Sequence, residues 1–149
     1  MALHAQQQIL NALQALLAAG GTVAGTRVYL DRVDPLQSDE LPAILIEEDG
    51  ETAEPFRIDG MEQRELSVNV HCVLAHSTTA APQARAFGLA VEKLLANATA
   101  WRPDANVMVN RITSSRPVTN GEADRLLATR QQAWVFAYLV RPETPDLFV

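Results

Sequence analysis

The sequence predicts an α+β domain: a mostly antiparallel sheet of about five strands with two main helices packed on it, in the order α-β-β-β-α-β-β. Three observations lead there. Two stretches carry apolar residues at helical spacing, one near the start and one after Pro82. The stretch from Glu65 to Ala75 alternates apolar and polar residues with the period of a half-buried strand. Several shorter runs rich in Val, Ile and aromatics are bounded by Gly, Pro and Asp. The 149 residues, 48% of them hydrophobic, suit one domain over 1–149 with a real core.

The elements follow in order. Residues 3–19 form the first helix, with Ile9, Leu10, Leu13, Leu16 and Leu17 on one buried stripe and Gly20 and Gly21 ending it. Its polar face has no Lys or Arg, so it packs on a core rather than on a membrane. "TRVYLDRV" holds a short strand on Val28, Tyr29 and Leu30, and "LPAILIEE" a second one, with Pro42 at its start. The polar segment 49–62, with two Asp-Gly pairs, reads as an exposed hairpin arm. In the third strand Leu66, Val68, Val70, Cys72 and Leu74 point one way, and Glu65, Ser67, Asn69, His71 and Val73 the other. The second helix buries Phe87, Val91, Leu94 and Leu95; Gly88 inside it implies a close approach to the sheet. "VMVNRITSSRPV" is a fourth strand, residues 119–132 a polar connection, and "AWVFAYLVR" a fifth strand, apolar on both faces. The Pro-containing tail 142–149 ends in Leu147, Phe148 and Val149, which need a surface to dock on.

Charge narrows the function classes. The net charge of −6 speaks against general or sequence-specific nucleic-acid binding, which needs a basic face. One cysteine rules out an internal disulfide framework. The distribution is uneven: residues 1–75 carry twelve acids and four basic side chains, while 76–149 carry six and eight. A molecule with an acidic and a basic half can pack head-to-tail on its own copies, the contact type that builds rings.

A search for reaction chemistry returns little. Cys72, His71 and His76 sit together in "VNVHCVLAH". On a strand, however, His71 and Cys72 face opposite sides, and His76 lies about 16 Å from His71 at strand rise. They cannot share a metal or form a nucleophile–base pair. "GGTVAGT" spaces Gly20 and Gly25 like a phosphate loop but lacks its lysine and its strand-then-helix order. Ser114 and Ser115 have no hydrolase elbow around them. Glu47, Glu48, Asp49 and Glu51 cluster, without calcium-loop spacing, as a solvated hairpin end. The expectation is a protein that is not an enzyme, with no catalytic residues, cofactor or metal.

The helix, the strand opening "LPAILI" after an acidic turn, the long strand "ELSVNVHCVLA" and the late strand with Trp134, Phe136 and Tyr138 resemble the phage tail terminator family (lambda minor tail protein U-like) over residues 3–141. The resemblance implies a structural protein that caps the head-proximal end of the tail tube. Such a subunit stops tube polymerisation and offers a head-joining surface. Its implied partners are copies of itself in a hexameric ring, the major tail tube protein and the head–tail connector, with DNA passing through the ring and no membrane. Its implied place is the virion tail, and the host cytoplasm during assembly. Two candidate interface sets follow: the acidic Glu47, Glu48, Asp49 and Glu51, and the basic Arg111, Arg116, Arg125 and Arg130. The alternatives are another head–tail joining protein or, from a different class, a small enzyme or stand-alone binding module.

Overall fold

The computed structural model describes residues 2–57, 60–97, 107–122 and 125–149, and their side chains except for 119–126. Helix α1 (Ala5–Ala19) leads to β1 (Val28–Leu30), a single 3-10 turn at Ser38–Glu40, β2 (Ala43–Phe56), β3 (Met61–Ala75), α2 (Ala80–Ala96), β4 (Val109–Glu122), β5 (Arg125–Arg141) and β6 (Thr144–Phe148). The predicted α+β class and element order hold, with a sixth, short strand added by the tail.

The sheet runs β1-β2-β3-β5-β4, with β6 beside β5. All neighbours are antiparallel except β1 and β2. The alternation of β3 sets the layers. Leu66, Val68, Val70, Cys72 and Leu74 join one core with Ile9, Leu13 and Leu17 of α1 and Phe87, Val91 and Leu95 of α2. On β5 the matching residues are Trp134, Phe136, Tyr138 and Val140, paired with the same side of β3. The helices therefore cover this face, while His71, Asn69 and Ser67 lie on the other.

Local chemistry fixes the helices. His4 caps α1, its Nδ1 accepting from the Gln6 amide at 3.2 Å. Gly20 closes it because a Cβ there would stand 2.3 Å from Leu94 Cδ1 of α2. Gly21 then takes the positive φ of +70° that turns the chain away. Gly88 is the tight point under α2: a Cβ would lie 3.1 Å from both Arg130 Cγ and Gln132 Nε2. The buried Gln132 uses that closeness. Its Nε2 donates to the Gly88 carbonyl at 2.8 Å, and its Oε1 accepts from Trp134 Nε1 at 3.0 Å. One buried amide thus satisfies the indole and ties helix to sheet.

One expectation changes. Residues 119–132 are not a connection: the β4–β5 ladder continues to the pair Glu122 and Arg125. The expected hairpin arm at 49–62 is built by the β2–β3 ladder, which pairs as far as Phe56 and Met61. The two hairpins point in opposite directions, since Glu62 of β3 pairs Val140 of β5 while Ala75 pairs Leu127.

Of the three apolar C-terminal residues Phe148 alone docks, while Leu147 and Val149 stay exposed. Phe148 packs edge-on against Tyr138 with ring centroids 5.6 Å apart, and Gln8 Nε2 of α1 donates to the Asp146 carbonyl at 2.7 Å. Among the described residues no helix is long and apolar enough to cross a membrane.

Candidate assembly interface

The acidic set sits in the middle of β2, not at a hairpin end. The ladder to β3 slips between Glu48 and Glu51, and Gly50 in that bulge has φ +107°. β1 pairs β2 only at Ile44, Leu45 and Ile46. From Glu47 onward the outer side of β2 has no strand beside it among the described residues. Glu47, Glu48, Asp49 and Gly50 are all exposed on this free edge.

The four acids are not equivalent. Glu48 accepts from Gln6 Nε2 at 3.0 Å. Glu47 Oε1 lies 2.5 Å from His71 Nε2, close enough for an ion pair with a protonated ring but off the line of a hydrogen bond. Glu51 is withdrawn: its side chain is only 12% exposed and meets Arg64 Nη1 at 3.3 Å, and it accepts from the Tyr138 hydroxyl. Arg64 also bonds Glu62 at 3.0 Å and approaches His4 Nε2 at 3.1 Å. Burial first, and then the bond to the Glu51 carboxylate, push the Tyr138 hydroxyl well up from its ordinary range. Glu51 is part of the fold's internal network under α1, and the expected interface set loses it.

The basic set divides as well. Arg111 and Arg116 are exposed on β4, on the sheet face that no helix covers; Arg116 Nη2 reaches Gln131 Oε1 at 3.3 Å. Arg130 points to the helix side, half-buried, its stem against Gly88 and its Nε donating to Ser115 Oγ at 2.8 Å. The side chain of Arg125 lies outside the described residues. Strand register places Arg111 and Arg116 at one flank of the uncovered face and Glu47, Glu54 and Glu65 towards the other. Between them run Ser67, Asn69, Gln131 and Ala133. The charge split of the sequence thus becomes a charge split across one sheet.

Cys72 and His71 behave as strand alternation dictates. Cys72 is fully buried against the helices, and burial pushes its thiol up to about 12. His71 lies on the other face, under a loop of its own chain. Residues 32–36 stand over Leu45, His71, Val73, Leu127 and Thr129 and leave a cleft of about 210 Å³. Arg32 holds that loop together. It meets both Glu40 oxygens, at 2.5 and 2.8 Å, donates to the Asp34 carbonyl at 3.0 Å and sits 4.5 Å over the Tyr29 ring. Its guanidinium holds the Glu40 carboxyl down to about 2. Among the described residues no group of three or more His, Cys, Asp or Glu could hold a metal ion.

Sequence reasoning missed a second basic feature. His76 and Arg85, distant from Arg130 in sequence, converge with it on a cleft of about 310 Å³ between the start of α2 and the β4–β5 pair. Nothing in their spacing foretells it; the signal was the excess of arginine after residue 76.

No protein-family profile matches the chain, and no curated protein matches it. Among solved structures the chain is similar to a chain of a structure described as a virion of a native gene transfer agent particle. The two share 20% identity at a TM-score of 0.44, over 91% of this chain and 95% of that one. A likeness of that degree leaves the chain's own geometry to support any functional reading.

Proposed function

We propose that this chain is a structural assembly protein that caps the head-proximal end of a phage tail tube, in a ring of its own copies, and presents the surface to which the head connector joins. The observation that carries the reading is the placement of charge. Acids on the free edge of β2 and arginines on β4 occupy opposite flanks of one sheet. A flank that attracts the far flank of another copy makes a heterologous contact, which closes into a ring when the rotation between copies allows. The resemblance of the strand pattern to tail terminators supplies the setting: a tube that must stop growing, and a virion tail assembled in the host cytoplasm. In this role the protein performs no catalysis and needs no cofactor. Its work is to bind a tube tip and to exclude further tube subunits.

Deleting the gene from the phage or prophage that carries it tests the role. Tails of uncontrolled length that fail to join heads are expected, with rescue by the chain supplied in trans. Tails of normal length that fail only to join heads would favour a different head–tail joining protein, and normal tails on normal particles would sink the proposal.

A further inference from the structure

The cleft lined by His76, Arg85 and Arg130 opens between the start of α2 and the β4–β5 pair. Ser77 and Thr78 add hydroxyls to its wall, and among the described residues no carboxylate lines it. That is unusual placement in a chain of net charge −6. Arg85 is exposed on α2, and Arg130 is held in position by its packing on Gly88 and its bond to Ser115. Among the described residues the adjoining groove along α2, past Arg85 and Arg130, adds one carboxylate, Glu92. A cleft with two guanidiniums and two hydroxyls on its wall suits a carboxylate-bearing segment.

Such a segment exists on the opposite flank of the same molecule. At the β2 bulge Asp49 is exposed beside Glu47, which lies near His71, and Glu48, which is bonded to Gln6, on an edge with no strand beside it among the described residues. Within one chain the two features lie across the full width of the sheet, on β2 at one side and on α2, β4 and β5 at the other. They cannot meet each other.

We propose that the cleft receives the acidic β2 bulge of a second copy, joining copies head-to-tail through the Glu47 and Asp49 carboxylates and the Arg85 and Arg130 guanidiniums. The proposal names the contact behind the ring reading above and rests on it. Its geometry explains why association continues. Each join leaves one bulge free at one end and one cleft free at the other, so a pair does not satisfy itself and growth stops only on closure.

The test uses sedimentation equilibrium on the whole chain with Asp49→Arg and Arg85→Glu, both at exposed positions where the fold should persist. Wild type is expected to exceed the mass of a pair at high concentration, starting from a 16.3 kDa chain. Each single reversal should weaken association by about tenfold or more, because like charges then face each other. Mixing the two single variants, or combining both changes in one chain, should restore it. Wild type that stays monomeric, singles that match wild type, a mass that stops at a pair, or a mixture no better than its components would each overturn the contact. Short duplex DNA bound in an Arg85-dependent way by a chain that stays monomeric would also overturn it, in favour of a phosphate ligand. A monomeric chain whose gene deletion still gives overlong tails would sink this contact alone and leave the capping role standing.

Discussion

Replacing Gln132 by leucine is the sharpest probe of how α2 is tied to the sheet. The side chains are close in size, so little cavity opens. What changes is hydrogen bonding. Trp134, 1% exposed, loses the Gln132 acceptor of its Nε1–H. An unpaired buried donor costs about 1–3 kcal/mol. The Gly88 carbonyl also loses a bond, at smaller cost, because it lies within a helix whose own ladder uses that oxygen. The expected loss is about 2 kcal/mol, which at a urea m-value of about 2 kcal/mol/M lowers the midpoint by about 1 M. A cycle with Trp134→Phe separates this from packing. Removing both donor and acceptor should cost less than the sum of the two single changes, by about 1–2 kcal/mol. Strict additivity, or a Gln132→Leu variant as stable as wild type, would refute the claim that this amide is the joint.

Other outcomes follow from the same contacts. Gly88→Ala would ordinarily stabilise a helix by about 1 kcal/mol, but Gln132 is pinned by two bonds and cannot yield to the new methyl. A net loss of about 1 kcal/mol in urea unfolding is expected, and a gain would show that the helix can lift. Cys72 should resist thiol reagents in the folded chain and react at once in denaturant; fast native labelling would contradict its burial. Its folded thiol titrates above the unfolded one, so its contribution to stability is whole below about pH 9 and declines as pH rises towards about 12. Glu40 has the opposite sign. Its folded carboxyl titrates near 2 against an ordinary 4.5, so the stabilising contribution is present above about pH 4.5 and is lost as pH falls through about 2. Arg32→Ala should flatten that part of the acid unfolding curve, and an unchanged curve would show that the clamp adds nothing.

Much of the fold was legible because burial imposes periodicity. The alternation around Val68–Leu74 placed Cys72 under the helices and His71 on the other face, and Gly88 announced a close approach before any partner was known. The parts that were not legible are those without apolar periodicity. Residues 119–132 extend the β4–β5 ladder, but the buried positions among them include the polar Thr129 and Gln132, so no apolar alternation marks the strand. The acids at 47–51 looked like a hairpin end because a bulge with a positive-φ glycine uses the same residues as a turn. Glu51 could not be told from its neighbours, since its bonds to Arg64 and Tyr138 depend on strands joined far along the chain. The cleft of His76, Arg85 and Arg130 is a product of three elements converging, which spacing alone does not record.

The capping role is tested most directly by locating the chain on the tail. Labelled protein, supplied to tails assembled without it, should decorate one end only, the end distal to the tail tip, and tubes so decorated should no longer lengthen when tube protein is added. Label along the shaft, at the tip, or at the ends of tubes that continue to grow would contradict the account.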